Sequence, residues 1–176
     1  MSLLRRLRKD KRGAAAVEFA LIAPAMILLS SGLVELCQAM IAERKANHVA
    51  SAVGDLAAQA ETVSMSDLSD IFTIGNTIMS PYPTASLQMR ITSVTANAQG
   101  TPKVDWSEGS GGFGPMTKGA TVTLPLTMNA GDSVIMSEAK YQYTSVLKMV
   151  LPNALNYSEV FYLRPRRSDQ VTCTDC

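Results

Sequence analysis

The side chains that could carry chemistry are few, and their spacing narrows them further. The 176-residue chain holds one histidine, His48, and three cysteines, Cys37, Cys173 and Cys176. His48 lies in Ala46-Asn47-His48-Val49, and the sequence sets no nucleophile or carboxylate to work with it. Acid–base and nucleophilic catalysis both need such a positioned partner. An exposed or interfacial His48 is therefore expected. Cys173-Thr174-Asp175-Cys176 closes the chain. A zinc site would need two more ligands, and Cys37 and His48 lie far off in sequence, so no metal is expected. A redox pair wants a helix N-terminus after its first cysteine, and no helical stretch follows Cys173. Outside the inner membrane thiols meet oxidising conditions. A disulfide between Cys173 and Cys176, or from one of them to the body, is the first reading.

Other candidates weaken on their context. Gly109, Gly111 and Gly114 in EGSGGFGP fit G-x-G-x-x-G. A dinucleotide site needs that motif between a parallel strand and a helix. Pro115 and polar residues follow instead, so the stretch reads as a flexible surface loop. Arg164-Pro165-Arg166-Arg167 reads as a solvated turn, with an anion or acidic partner as the lesser reading. Three charges are too few to argue for nucleic acid. Tyr141, Tyr143, Tyr157 and Tyr162 are spaced for sheet packing, with subunit contact as the minority reading. Neither an enzyme nor a small-molecule binder is indicated, and no cofactor is expected.

Composition points elsewhere. The chain is 47% hydrophobic, enough to exclude wholesale disorder, and only 18% charged. Residues 1–13 carry Arg5, Arg6, Arg8, Lys9, Lys11 and Arg12 against Asp10, a net of +5. Residues 14–176 hold the remaining 10 basic and 14 acidic residues, a net of −4. A basic tip, an apolar stretch and an acidic body form an address pattern.

From Ala14 to Ala42 only Glu18 and Glu35 interrupt the apolar run. Its charge-free core, Phe19 to Val34, is 16 residues, short of the roughly 20 that a spanning helix needs. With one Glu near each interface the whole stretch is long enough. The basic residues before it should stay in the cytoplasm, giving a single-pass protein with its N-terminus inside. A secretory signal is disfavoured by Glu18 at the start of the run and by the weak site near Ser30-Ser31-Gly32. A lipoprotein would need small residues before Cys37, where Glu35-Leu36 stands. An uncleaved anchor and a prepilin-type segment remain.

The prepilin reading rests on RGAAAVEFALIAP: a basic leader ends in Gly13, Ala14 follows, Glu18 is fifth after the Gly, and Phe19 comes next. Here the chain resembles the TadE-like family, minor pilins or pseudopilins of the tight adherence (Tad/Flp) pili. Ala14, where type IV pilins usually carry Phe, favours this branch. The resemblance extends through LVELCQAMIAERKANHVASAVGDLAAQA and, more weakly, to YLRPR. It implies that a prepilin peptidase cuts between Gly13 and Ala14, and that other pilins, pseudopilins and pilus assembly proteins are the partners. The subunit would rest in the bacterial inner membrane with its C-terminal domain in the periplasm, then join an extracellular pilus. Cleavage would free an α-ammonium on Ala14. In an assembling pilus, Glu18 could pair with a neighbour's ammonium and set register. The alternative for Glu18 is snorkelling to the headgroups. Pro24 removes a backbone hydrogen bond and should kink or loosen the helix, or is simply tolerated there. An uncleaved membrane-anchored envelope scaffold of the pilus machinery is the alternative function.

The pattern predicts three parts: a leader over 1–13, a membrane and stem helix over 14–62, and an extracytoplasmic domain over 63–176. The helix is expected from Ala14 to Glu61, softened at Pro24, Gly32 and Gly54, with Val49, Val53, Leu56 and Ala60 on one apolar side. A second helix starts at Ser64 to Asp67, with Ser66 as N-cap and Leu68, Ile71, Phe72 and Ile78 as its face. About five short strands follow, including one over Val122, Leu124 and Leu126. The fold class is α+β: a long N-terminal helix packed on a small antiparallel sheet, as in pilins.

Overall fold

The computed structural model describes residues 13–176; the basic leader expected before Gly13 lies outside the described residues. Two compact units are present. One comprises the described residues through Gln38 together with Thr144–Asn153, and the other comprises Ala39–Tyr143 with Ala154–Cys176.

The first helix, α1, runs Ala14–Ala58. Its run of Ala, Leu, Ile and Met has high helix propensity. Helical backbone continues on both sides of Pro24 and through Gly32 and Gly54. The helix ends three residues earlier than expected. At that end the Arg166 N–H donates to the Ala58 carbonyl at 2.9 Å, and the Arg166 guanidinium pairs with Asp55. The backbone amide of Arg166 thus answers a terminal carbonyl, and its cation lies beside the last turn, which suits the negative helix end. Arg164, Arg166 and Arg167 are all exposed, as expected of a solvated turn, and Arg166 in addition pairs with Asp55.

In the larger unit a four-stranded antiparallel sheet has the order β3-β2-β4-β5, from β2 (Leu87–Ala96), β3 (Pro102–Ser110), β4 (Ser133–Tyr143) and β5 (Leu155–Leu163). β2 carries a register shift at Ser93/Val94. The stem half of α1 buries Ala42, Ala46, Val49, Ala50, Val53, Ala57 and Ala58. That face is mostly alanine, so the helix approaches the sheet closely. A Cβ on Gly54 would meet Leu163 Cδ1 at 2.6 Å and Ser137 Cβ at 2.7 Å. The fold is therefore α+β, with a long helix against a small antiparallel sheet.

The second helix, α2, runs Met65–Met79. Its N-cap is Ser64, not Ser66. The Asp67 N–H donates to Ser64 Oγ at 3.2 Å, and the Ser64 N–H donates to Asp67 Oδ2 at 2.9 Å. This reciprocal pair satisfies two otherwise orphaned donors, which Ser66 could not do from inside the helix. The buried face is Leu68, Phe72, Gly75 and Met79, so Ile71 and Ile78 sit at its margins. At Gly75 a Cβ would meet Met89 Sδ at 2.5 Å and Val53 Cγ2 at 3.1 Å, the point where α2, β2 and α1 converge. Lys45 Nζ donates to the carbonyls of Ile78 at 2.9 Å and Ser80 at 2.6 Å, closing the C-terminal end of α2.

The strand expected over Val122, Leu124 and Leu126 does not form. Its side chains still alternate, packing on Val94, Ala96, Met128 and Val134. Pro125 removes a ladder donor, and only a bridge from Thr121 to Lys103 remains. A two-residue parallel pairing was not anticipated: β1 (Thr62–Val63) lies beside β6 (Thr172–Cys173).

Candidate functional site

The site is built on the first turns of α1 and on the apolar surface that follows them. Ala14 opens the helix and Glu18 stands one turn later on the same side. Both are exposed, as is Phe19 at 73%. Val17, Leu21, Ile22, Met26, Ile27, Leu28, Leu29, Leu33 and Val34 are exposed as well. An apolar surface this continuous on all sides of a helix is what a lipid-facing segment presents. The helix is long and apolar enough to cross a membrane.

Gly13 is exposed, with open space where a Cβ would be. Residues 13–55 match the family model of the TadE-like proteins. This is the family that the Gly13 to Phe19 pattern resembles. The match begins at the expected cleavage glycine and runs through the apolar stretch into the stem. No curated protein and no solved structure matches the chain.

Sequence reasoning missed Glu35. It read only as an interruption of the apolar run, yet it is 2% exposed. Its carboxylate accepts three consecutive backbone N–H groups, from Met149 and Val150 at 2.8 Å and from Leu151 at 2.9 Å. The Ser145 hydroxyl hydrogen-bonds the same carboxylate. Consecutive amides that converge on one anion form a nest. One turn earlier, Gly32 leaves room for Val150: a Cβ there would meet Val150 Cγ2 at 2.8 Å. No local signal in the sequence could have joined residue 35 to residues 149–151.

The remaining candidates fall into place in the fold. Cys173 and Cys176 are bonded to each other, with Cα atoms 5.7 Å apart. Cys173, Asp175 and Cys176 bring three ligand-type atoms within 4.8 Å, but the bonded sulfurs are not thiolates. Asp175 instead accepts the Met65 N–H at 2.8 Å, a second acceptor at the N-terminal end of α2. Cys37 is free and exposed, and His48 is exposed on the stem. Gly109, Gly111 and Gly114 do not open a helix. Gly109 lies in β3, and in the loop that follows the Arg90 guanidinium lies 4.0 Å from the Phe113 ring centre and donates to the Gly114 carbonyl at 3.2 Å. Lys140 Nζ lies 4.2 Å from the same ring, and Arg90 also pairs with Glu138 at 2.6 Å.

Among the tyrosines, Tyr141 and Tyr143 are buried, and Tyr82 meets Tyr143 edge-on at 6.0 Å. Burial pushes the Tyr141 hydroxyl above its ordinary pKa. Tyr157 donates to the Ala39 carbonyl at 3.0 Å, tying β5 to the stem.

Proposed function

We propose that this chain is a minor pilin or pseudopilin of a Tad-type pilus, matured by a prepilin peptidase that cuts between Gly13 and Ala14. The observation that carries the reading is the coincidence at one point of three boundaries. The family match starts at Gly13, the helix starts at Ala14, and the basic leader ends there. The leader stays in the cytoplasm and α1 anchors the subunit in the inner membrane, with the C-terminal region in the periplasm. After cleavage, residues 14–176 join other pilins and pilus assembly proteins through the exposed apolar surface of α1. The chain performs no reaction; it is the peptidase's substrate and a structural partner. Cys173–Cys176 is a structural clip on the C-terminal end.

Glu18 sets register by pairing with the N-terminal ammonium of a neighbouring subunit. A carboxylate in an apolar helix needs a cationic or donor partner, and Phe19 beside it packs against the neighbour. Pro24, with one backbone bond fewer around it, gives the helix room to bend as the subunit leaves the bilayer.

Replacing Glu18 by Ala tests the reading, because the carboxylate is then lost while the cleavage point stays. Maturation at Gly13 should proceed unchanged. Recovery in the sheared pilus fraction or in crosslinks to pilus proteins should fall about tenfold or more, since a hydrogen bond to a charged group contributes about 1.5–3 kcal/mol. Assembly of Glu18→Ala at the wild-type level would contradict the register role.

A further inference from the structure

The connection between β4 and β5 has a composition that a water-facing hairpin loop avoids. Residues 144–153 read TSVLKMVLPN. Val146 is 94% exposed, and Leu147, Met149 and Val150 are each about half exposed. Within its compact unit this loop lies against α1 at Gly32 and Glu35, and Glu35 takes up the N–H groups of Met149, Val150 and Leu151.

We infer that residues 146–151 form a second membrane contact, seated in the outer interfacial layer of the same bilayer that α1 crosses. This rests on the reading of α1 as a membrane helix. Depth carries the inference. Phe19 to Val34 spans about 24 Å at 1.5 Å per residue, less than the roughly 30 Å of hydrocarbon. Gly32 and Glu35 therefore lie at or inside the outer boundary, and a loop packed on both lies at that level.

Backbone satisfaction supplies the second argument. Irregular backbone at membrane depth needs its polar groups answered by the protein, because lipid tails offer no partners. The Glu35 carboxylate does this for three successive amides, at a place where water would otherwise have served at no cost. Lys148, exposed and with φ of 54°, lies between Leu147 and Met149. From an interfacial loop its ammonium can reach lipid phosphates while the apolar side chains enter the acyl boundary. The two contacts together complete an apolar band that the helix core alone leaves short.

The test uses the full chain in phosphatidylcholine/phosphatidylglycerol vesicles, with Cys37→Ala and the Cys173–Cys176 disulfide intact. A nitroxide is attached at Leu147→Cys, and its collisions with oxygen and with a water-soluble nickel chelate are compared. Leu29→Cys serves as the lipid reference and Ser158→Cys as the water reference; both positions are exposed. The proposal expects the label at 147 to resemble that at 29, rich in oxygen and severalfold poorer in nickel contact than that at 158. Nickel contact at 147 equal to that at 158, with 29 still in lipid, overturns the loop contact and leaves the membrane helix standing. Low contact with both reagents at 147 also overturns it, since protein then covers the loop. A water-exposed label at 29 removes the membrane reading and the loop contact together. Glu35→Gln, which keeps size but turns donors toward the amides, should raise nickel contact at 147 severalfold. No change with Glu35→Gln overturns the pinning role.

Discussion

Two carboxylates interrupt the apolar stretch, and the chain answers them differently. Glu35 is buried and ringed by amides of its own chain, so it needs nothing from outside. Glu18 is exposed on a surface of valine, phenylalanine and leucine, which is why its proposed partner is another subunit. A third acid, Asp67, shows how local such answers can be. Its hydrogen bonds to the Ser64 hydroxyl and amide hold its carboxyl below the ordinary value of 3.8. A depressed carboxyl pKa stabilises the fold above the unfolded value and loses that contribution as pH falls through the folded one. Hydrogen-exchange protection at the first amides of α2 should therefore drop as acid titration passes below pH 3.8. In Asp67→Asn the protection should be reduced already at neutral pH and vary little with acid; an unchanged acid profile would show that the box does not hold this end. The N-cap was expected at Ser66, although the spacing Ser64-x-x-Asp67 resembles a capping box with Asp in place of the usual Glu or Gln. The partner of Glu35 was not legible in the sequence, because it lies 114 residues or more away.

At the scale of elements, the apolar run identified the first half of α1, and periodicity identified its stem, α2 and the four main strands. Periodicity misjudged segments where a single residue overrides the period. Pro125 keeps 122–126 out of the sheet although its side chains alternate in burial. β1 and β6 are two residues each and carry no period to read. Of the stem face expected through Val49, Val53, Leu56 and Ala60, Val49 and Val53 are fully buried while Leu56 and Ala60 are only partly so, and alanines and Gly54 complete the face. Gly54→Ala puts this to a test in which two effects oppose. Alanine gains about 1 kcal/mol of helix propensity. Its methyl would press on Leu163 and on Ser137 of β4, and overpacking costs about 1–3 kcal/mol. Leu163 can rotate away; the Ser137 Cβ is fixed to an interior strand. A lower Tm of the protein in detergent is expected, and a higher one would mean that the helix lies further from β4.

For the whole molecule, the likeness to known proteins is concentrated in the least elaborate part of the chain. The TadE-like match covers residues 13–55, and no solved structure matches the chain. The sequence could show a leader, an apolar helix and a glycine at their junction, because those features depend on composition and short spacing. It could not show that a loop near residue 149 returns to that helix. The account turns on whether the chain is processed as a pilin. The decisive measurement is the intact mass of the native protein from cells with and without the prepilin peptidase. The account predicts a polypeptide beginning at Ala14 when the peptidase is present and the unprocessed chain when it is absent. The same full-length mass in both strains would contradict it and leave an uncleaved membrane-anchored scaffold.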